Sequence, residues 1–254
     1  CLVAGTDAGL PESAPVRWLD VGPSSRFAMF DYERNTATSC PSPLTVVFSP
    51  LTSVDSLCLL GLVATSVTLT LSSGGVVVFN ETRALNKRKV RNLSDYRFKR
   101  LVFKRETVFL DLPVARNMVF TLTIINASGA VQCGACVVGL KEDLGEVQTD
   151  VSITRRNYGQ IEYDADGKAA LKPSPRIPQK NMVSLFPAGE LERITGVIDD
   201  LDQVVAVWIA IDAERHPYFS SLVTMGFYTQ VRYKLMQCDE DQDEVETVEM
   251  SMDM

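Results

Sequence analysis

The stretch "SVTLTLSSGGVVVFN", Ser66 to Asn80, constrains the fold more than any other part of the chain. Val67, Leu69 and Leu71 fall on one side of an extended backbone, and Thr68 and Thr70 on the other. That is the period of two expected of a half-buried strand. "SSGG" turns the chain and "VVVFN" returns it, so the stretch reads as a β-hairpin.

The flanking segments extend the pattern. "LTVVFSP", "DSLCLLGL", "TVFLDLP", "NMVFTLTII" and "VQCGACVVGL" are short apolar or alternating runs separated by turn residues, with no helical stripe between them. Together they predict a β-sandwich over residues 40–147. Beyond it, "DVSITRRN" and "GKAALKPSPRIPQKNMVSLF" are again strand-rich, with prolines suited to edges or bulges. The period then changes. Leu191, Ile194, Ile198 and Leu201 fall on one face of a helix over about 190–202, although Gly196 costs it about 1 kcal/mol relative to Ala. "QVVAVWIAID" and one or two further strands follow. The fold class is therefore all-β (mainly β): an entry arm over residues 1–39, a β-sandwich over 40–147, and a β-rich domain with one packed helix over 148–237.

Charge separates the remainder. The chain holds 32 acids and 25 bases, and from Asp239 onward there are eight acids and no Lys or Arg. The rest of the chain thus carries 24 acids against 25 bases and is close to neutral. A block so acidic and poor in aromatics predicts a disordered tail over 238–254. Its nearest electrostatic complement is Arg83 to Arg105, ten bases against the single acid Asp95. Docking of the tail on that segment is the expectation. The basic segment also contains Tyr96, Phe98 and Phe103. Nucleic-acid contact, a subunit interface and a solvated loop all stay open for it, with nucleic acid the least favoured because no recognised binding module surrounds it.

Several chemistries find no support. His216 is the single histidine, so multi-His metal sites are excluded and a Ser-His-Asp triad would hang on one loop residue. Cys133-Gly134-Ala135-Cys136 has redox or half-zinc spacing, yet it lies in a strand pattern with no second such pair. Those two cysteines read as small packed residues. "YDADGKA" lacks calcium-loop spacing and reads as a hairpin turn. "SSGG" precedes a strand, so it presents no helix N-terminus to phosphate. No catalytic residue, metal or cofactor is expected, and the chain reads as non-enzymatic. The six cysteines are irregularly spaced and suggest reduced thiols. No apolar run reaches 18 residues, so no membrane span is expected. No retained signal peptide is recognised, and Cys1 fits either a removed initiator Met or a lipidated terminus.

"VRWLDVGPSSRFAMFDY", Val16 to Tyr32, gathers Trp18, Arg26, Phe27 and Phe30 around a Gly-Pro-Ser-Ser turn. Such residues are enriched at interfaces. Packing across the two units, an inter-subunit contact and a small ligand such as a sugar all remain open.

Five segments in order resemble a family of structural proteins of tailed bacteriophages: Trp18 to Asp31, "DSLCLLGLVATSVTLT" (Asp55 to Thr70), "FLDLP" (Phe109 to Pro113), "CVVGLKEDLGEV" (Cys136 to Val147) and "VVAVWI" (Val204 to Ile209). The resemblance spans about residues 16–236 and rests on order rather than on one motif. The run after "SDY" is more charged than the family pattern, and the acidic tail is an addition. The resemblance implies a virion tail or tail-tip subunit, assembled in the bacterial cytoplasm into a symmetric ring with copies of itself and neighbouring tail proteins. The alternative it implies is a host-surface carbohydrate-binding module. The interface candidates are Trp18, Arg26, Phe27, Phe30, Arg88, Arg91, Arg97, Arg100 and Arg105.

Overall fold

The structure is a computed structural model that describes residues 25–31, 36–87, 92–98, 102–115, 117–148, 152–157, 160–163, 169–172, 176–210, 223–238 and 245–253. The first unit contains β1 (Thr38–Cys40), β2 (Leu44–Phe48), β3 (Ser56–Leu60), β4 (Ser66–Ser73), β5 (Val76–Ala84) and β6 (Asn86–Lys87). It continues with helix α1 (Leu93–Phe98), β7 (Val102–Phe103), β8 (Thr107–Phe109), β9 (Met118–Ile125), β10 (Val131–Cys133) and β11 (Ala135–Gly139). The second contains β12 (Glu146–Val147), β13 (Ser152–Asn157), β14 (Gln160–Tyr163), β15 (Ala169–Lys172), β16 (Arg176–Pro187) and helix α2 (Leu191–Asp200). It ends with β17 (Ala206–Ile209), β18 (Val223–Gly226), β19 (Gln230–Cys238) and β20 (Val245–Asp253). The chain is all-β in class, as its alternation predicts.

Two antiparallel sheets, β2-β9-β4-β5 and β11-β3-β8, form the first unit. Alternation decides what each buries. Val67, Leu69 and Leu71 of β4 and Phe120, Leu122 and Ile124 of β9 meet Leu57 and Leu59 of β3 and Phe109 of β8 in one core. The opposite face of the four-stranded sheet is a row of hydroxyls. Thr45, Thr123, Thr68 and Thr82 stand in register across the four strands, and the Thr68 and Thr82 hydroxyls lie 2.9 Å apart.

The edge strand β5 protects itself with inward charge. Arg83 stacks over the Phe109 ring at 4.3 Å, pairs with Glu81 at 2.7 Å and donates to the Val108 carbonyl of the other sheet. A guanidinium turned inward at an edge discourages pairing with a stray strand. Gly134 sits where two backbones nearly touch. A Cβ there would meet the Leu60 carbonyl oxygen at 3.2 Å. This approach breaks "VQCGACVVGL", expected as one strand, into β10, which pairs β1, and β11, which pairs β3.

Part of the expected arm belongs to this unit. Ala28–Phe30 form a short 3-10 turn with Met29 fully buried in the sandwich core. The buried Thr38 hydroxyl accepts the Met29 N–H at 2.9 Å and donates to the Arg26 carbonyl at 3.2 Å. The arm boundary at 39 therefore falls inside the first unit, because Met29 plugs its core.

The second unit is built on a sheet ordered β12-β16-β20-β19, with β13 also on β16. Pro178 lies where β16 pairs only β13, the one-sided position a proline tolerates. Helix α2 forms where the apolar spacing predicts it. It lays Ile194 and Ile198 on a core with Trp208 of β17, Met182 and Phe186 of β16, and Val248, Met250 and Met252 of β20.

The largest correction concerns the chain's acidic end. Residues 245–253 form a central strand, hydrogen-bonded to β16 on one side and β19 on the other. Val248, Met250 and Met252 are buried, while Glu249, Ser251 and Asp253 alternate with them on the other face. A charge count averages over both faces and so hides this period of two. The register places Glu249 opposite Lys234 and Ser251 opposite Arg232. Of this strand's acids, Glu249 stands across the ladder from Lys234, and Glu246 and Asp253 stand opposite Gln237 and Gln230, so the strand is paired within the second unit and not on Arg83 to Arg105. Residues 239–244 lie outside the described residues.

Candidate functional site

Two units must be joined, and the joint is where polar side chains converge. The linker Lys141 to Gly145 is held from both directions. On the first-unit side, the Asp55 carboxylate accepts the Lys141 backbone N–H at 2.7 Å, and the Lys141 ammonium pairs with Asp111 at 2.9 Å. That hydrogen bond, helped by the field of Asp111, Asp143 and Asp55, raises the Lys141 pKa. The Leu112 N–H closes the same corner on the Asp55 carbonyl at 2.8 Å. On the second-unit side, Arg193 of α2 donates to the Asp143 carbonyl at 2.8 Å, reaches Glu142 at 3.5 Å and pairs with Glu190 at 2.7 Å.

Gly145 locks the linker. Its φ of +97 is a left-handed conformation, and a Cβ there would approach the Leu185 carbonyl oxygen to 2.5 Å. Three of the segments quoted for the phage resemblance, around Asp55, Asp111 and Lys141, thus meet at one corner although they are far apart in sequence.

Beside the linker lies a cleft of about 710 Å³, lined by both units. That is within the size range of small-molecule and side-chain-binding pockets. Its interior is apolar, including Met182, Met250, Met252, Trp208 and Leu144. These methionines and Trp208 are members of the second unit's core, each at most 8% exposed, so the cleft borders that core rather than opening it. Ser184 borders the cleft, but its hydroxyl oxygen is closed off from solvent and has no hydrogen-bond partner among the described residues. Asp111, Glu142, Asp143 and Asp200 also line it.

None of this cleft was legible as a site from the sequence. Its residues come from the linker, three strands of the first unit (β3, β8 and β11) and five elements of the second (β12, β16, α2, β17 and β20). Only the charged linker motif "KEDLGE" offered a signal.

The thiols of Cys58, Cys133 and Cys136 are free and buried. Burial pushes Cys58 and Cys133 up to about 12, with the charges of Glu106 and Cys133 adding to the Cys58 shift. Burial also drives Cys136 well above the ordinary thiol value. All three are protonated near neutral pH, which makes them poor nucleophiles and poor metal ligands. Among the described residues, no three His, Cys, Asp or Glu side chains are grouped to hold a metal ion.

The expected interface residues do not form one cluster. Phe27 is 54% exposed under the Arg26 guanidinium, which lies 5.6 Å from its ring centre. Phe30 packs edge-on against Phe48 at 5.9 Å, and Phe48 stacks on Phe120. Arg105 is exposed, and its carbonyl accepts the Leu62 N–H. Arg97 is exposed on α1. Trp18, Arg88, Arg91 and Arg100 lie outside the described residues, as does His216.

The basic segment, read from sequence as having no helical stripe, contains α1, a helix with no buried residue. Leu93 is 69% exposed, Tyr96 58% and Phe98 80%. The Asn92 side chain caps it, accepting the Asp95 N–H at 2.7 Å. No helix among the described residues is long and apolar enough to cross a membrane. Comparison of the chain with protein-family models, curated proteins and solved structures gives no match.

Proposed function

We propose that this chain is a non-enzymatic structural subunit that assembles with copies of itself, of the tail or tail-tip type in tailed bacteriophages. The observation that carries the reading is α1: a short helix with no buried residue, whose Leu93 and Phe98 lie mostly in solvent within a run of bases in the sequence. An exposed apolar group of this kind is stabilised by a covering partner. The clamped linker supports the reading, because a subunit passing load needs its two units held in one relation. The order of the five quoted segments supports the virion assignment. The aromatic pair Tyr96 and Phe98 also fits the alternative, a ring platform for a host-surface glycan.

The test is sedimentation velocity of the purified chain over a wide concentration range, with electron microscopy of any assembly, glycan-array binding, and immunogold labelling of phage particles. Discrete closed rings and labelled tails are the expected results. A chain that stays monomeric throughout refutes the assembly reading. Unlabelled particles refute the virion assignment, and glycan binding by the monomer favours the alternative.

A further inference from the structure

The assembly reading leaves open which surfaces meet. We infer that the outer face of the four-stranded sheet β2-β9-β4-β5 packs on the same face of a second copy, about a two-fold axis. This inference rests on the proposed self-assembly and names one of its contacts.

Four rows of side chains run across the strands of this face. Beside the row of four threonines runs a second, Val47, Thr121, Thr70 and Asn80. Ile125, Ser66 and Ala84 flank the first row, and Val119, Ser72 and Val77 flank the second. None of these positions holds a charge, although 22% of the chain is charged and a soluble surface is ordinarily about a quarter to a third charged. The two charges of β5, Glu81 and Arg83, are paired on the inner side, where Arg83 covers the Phe109 ring.

An uncharged face is what contact with its own copy requires. In a two-fold contact the same patch meets itself, so a charge near the axis meets its like. A face without charge removes that repulsion. It also offers nothing to a phosphate backbone.

The polar groups are prepared for being covered. The Thr68 and Thr82 hydroxyls lie 2.9 Å apart, and the Thr70 hydroxyl donates to Asn80 Oδ1 at 3.2 Å. Hydroxyls bonded to neighbours on their own face lose little when water leaves, whereas unpaired ones are costly to bury. The exposed Val47, Val77 and Ile125 lie on the same face and add apolar area. Two sheets stack in this way about 10 Å apart.

The size of the face sets the strength of the contact. Four strands about 4.8 Å apart, over Ser66 to Ser72 at about 3.4 Å per residue, span about 19 by 24 Å, or about 450 Å² per copy. A standard interface buries about 800 Å² per partner, so the contact is weak between single copies. It becomes strong where many face pairs close together, as when two rings lie back to back.

The experiment uses the full chain. Val47 and Thr121 stand opposite each other in the second row, with Val47 exposed on the edge strand. The Val47→Lys/Thr121→Lys and Val47→Glu/Thr121→Glu variants are run separately and as an equal mixture in sedimentation velocity, with electron microscopy of the largest species. Each variant alone should give species of half the wild-type mass, with association across this contact weakened by about tenfold or more. The mixture should restore the wild-type mass, because Lys faces then meet Glu faces, and about 1 M salt should abolish the restoration. Thr45→Lys and Thr45→Glu, at an exposed position of β2, repeat the comparison if circular dichroism shows that a double variant fails to fold.

A wild-type chain that stays monomeric overturns both this inference and the assembly reading. Assemblies of unchanged mass in both variants overturn the face contact alone. Halved assemblies that the mixture does not restore also overturn it, because the face then meets something other than itself. Glycan binding lost in both variants, with assembly mass unchanged, assigns the face to a neutral glycan instead.

Discussion

Ending the chain at residue 244 should unfold the second unit. The segment removed reads as a solvated acidic tail by composition, so its loss would then be harmless. In the structure it is the central strand β20, between β16 and β19. The cut removes Val248, Met250 and Met252, which are 1%, 3% and 1% exposed. Burying a side chain of this size stabilises by roughly 1.5–3 kcal/mol, so the three together contribute about 5–9 kcal/mol. Whole domains are stable by only about 5–15 kcal/mol.

Point variants make the same distinction without deleting backbone. Met250→Ala should cost about 2–5 kcal/mol, whereas Glu249→Gln on the opposite face should change stability by under about 0.5 kcal/mol. The assay is denaturant unfolding followed by fluorescence of Trp208, which is buried in the same core, in a Trp18→Phe background. A truncated chain that keeps a cooperative Trp208 transition at the original midpoint would refute the argument, as would equal effects of Met250→Ala and Glu249→Gln.

Four further outcomes are expected. Cys58, Cys133 and Cys136 should resist thiol reagents in the native protein, with site-resolved mass spectrometry showing labelling of the partly exposed Cys40 ahead of these three. Because the thiols of Cys58 and Cys133 titrate near 9 when unfolded and near 12 when folded, their contribution is complete below pH 9 and is lost as pH rises toward 12. Stability should fall there by up to about 1.4 kcal/mol per pH unit for each such thiol, measured by denaturant titration at several pH values. Gly145→Ala should destabilise by at least about 1–3 kcal/mol, since it strains a left-handed residue and drives a Cβ into the Leu185 carbonyl; an unchanged melting temperature would contradict this. Arg83→Ala should lower stability by about 1–3 kcal/mol by removing the cover of Phe109 and stranding Glu81, and Arg83→Lys should restore only part of the loss.

Local periodicity determined much of this protein. The alternation of Val67, Leu69 and Leu71 with threonines already specified β4 and which face it buries, because in an extended chain side-chain direction follows from position alone. The spacing of Leu191, Ile194 and Ile198 likewise specified α2 and its buried stripe. The same rule was written in Val248, Met250 and Met252, but the surrounding acids outweighed it in any average over the segment.

Contacts between distant segments were decided only in the tertiary structure. Nothing near Lys141 in sequence signals that Asp55 and Asp111 will grip it, nor that Arg193 will hold the other end of the linker. The cleft has no sequence signature, since its floor comes from β16 and β20 and its wall from β8, β11 and the linker. Met29 rather than Phe27 or Phe30 became the core plug, because a 3-10 turn set its side chain inward and theirs outward or edgewise. Periodicity acts over a few residues and can be read along the chain; a site built from many segments depends on how the sheets stack, which no single segment encodes.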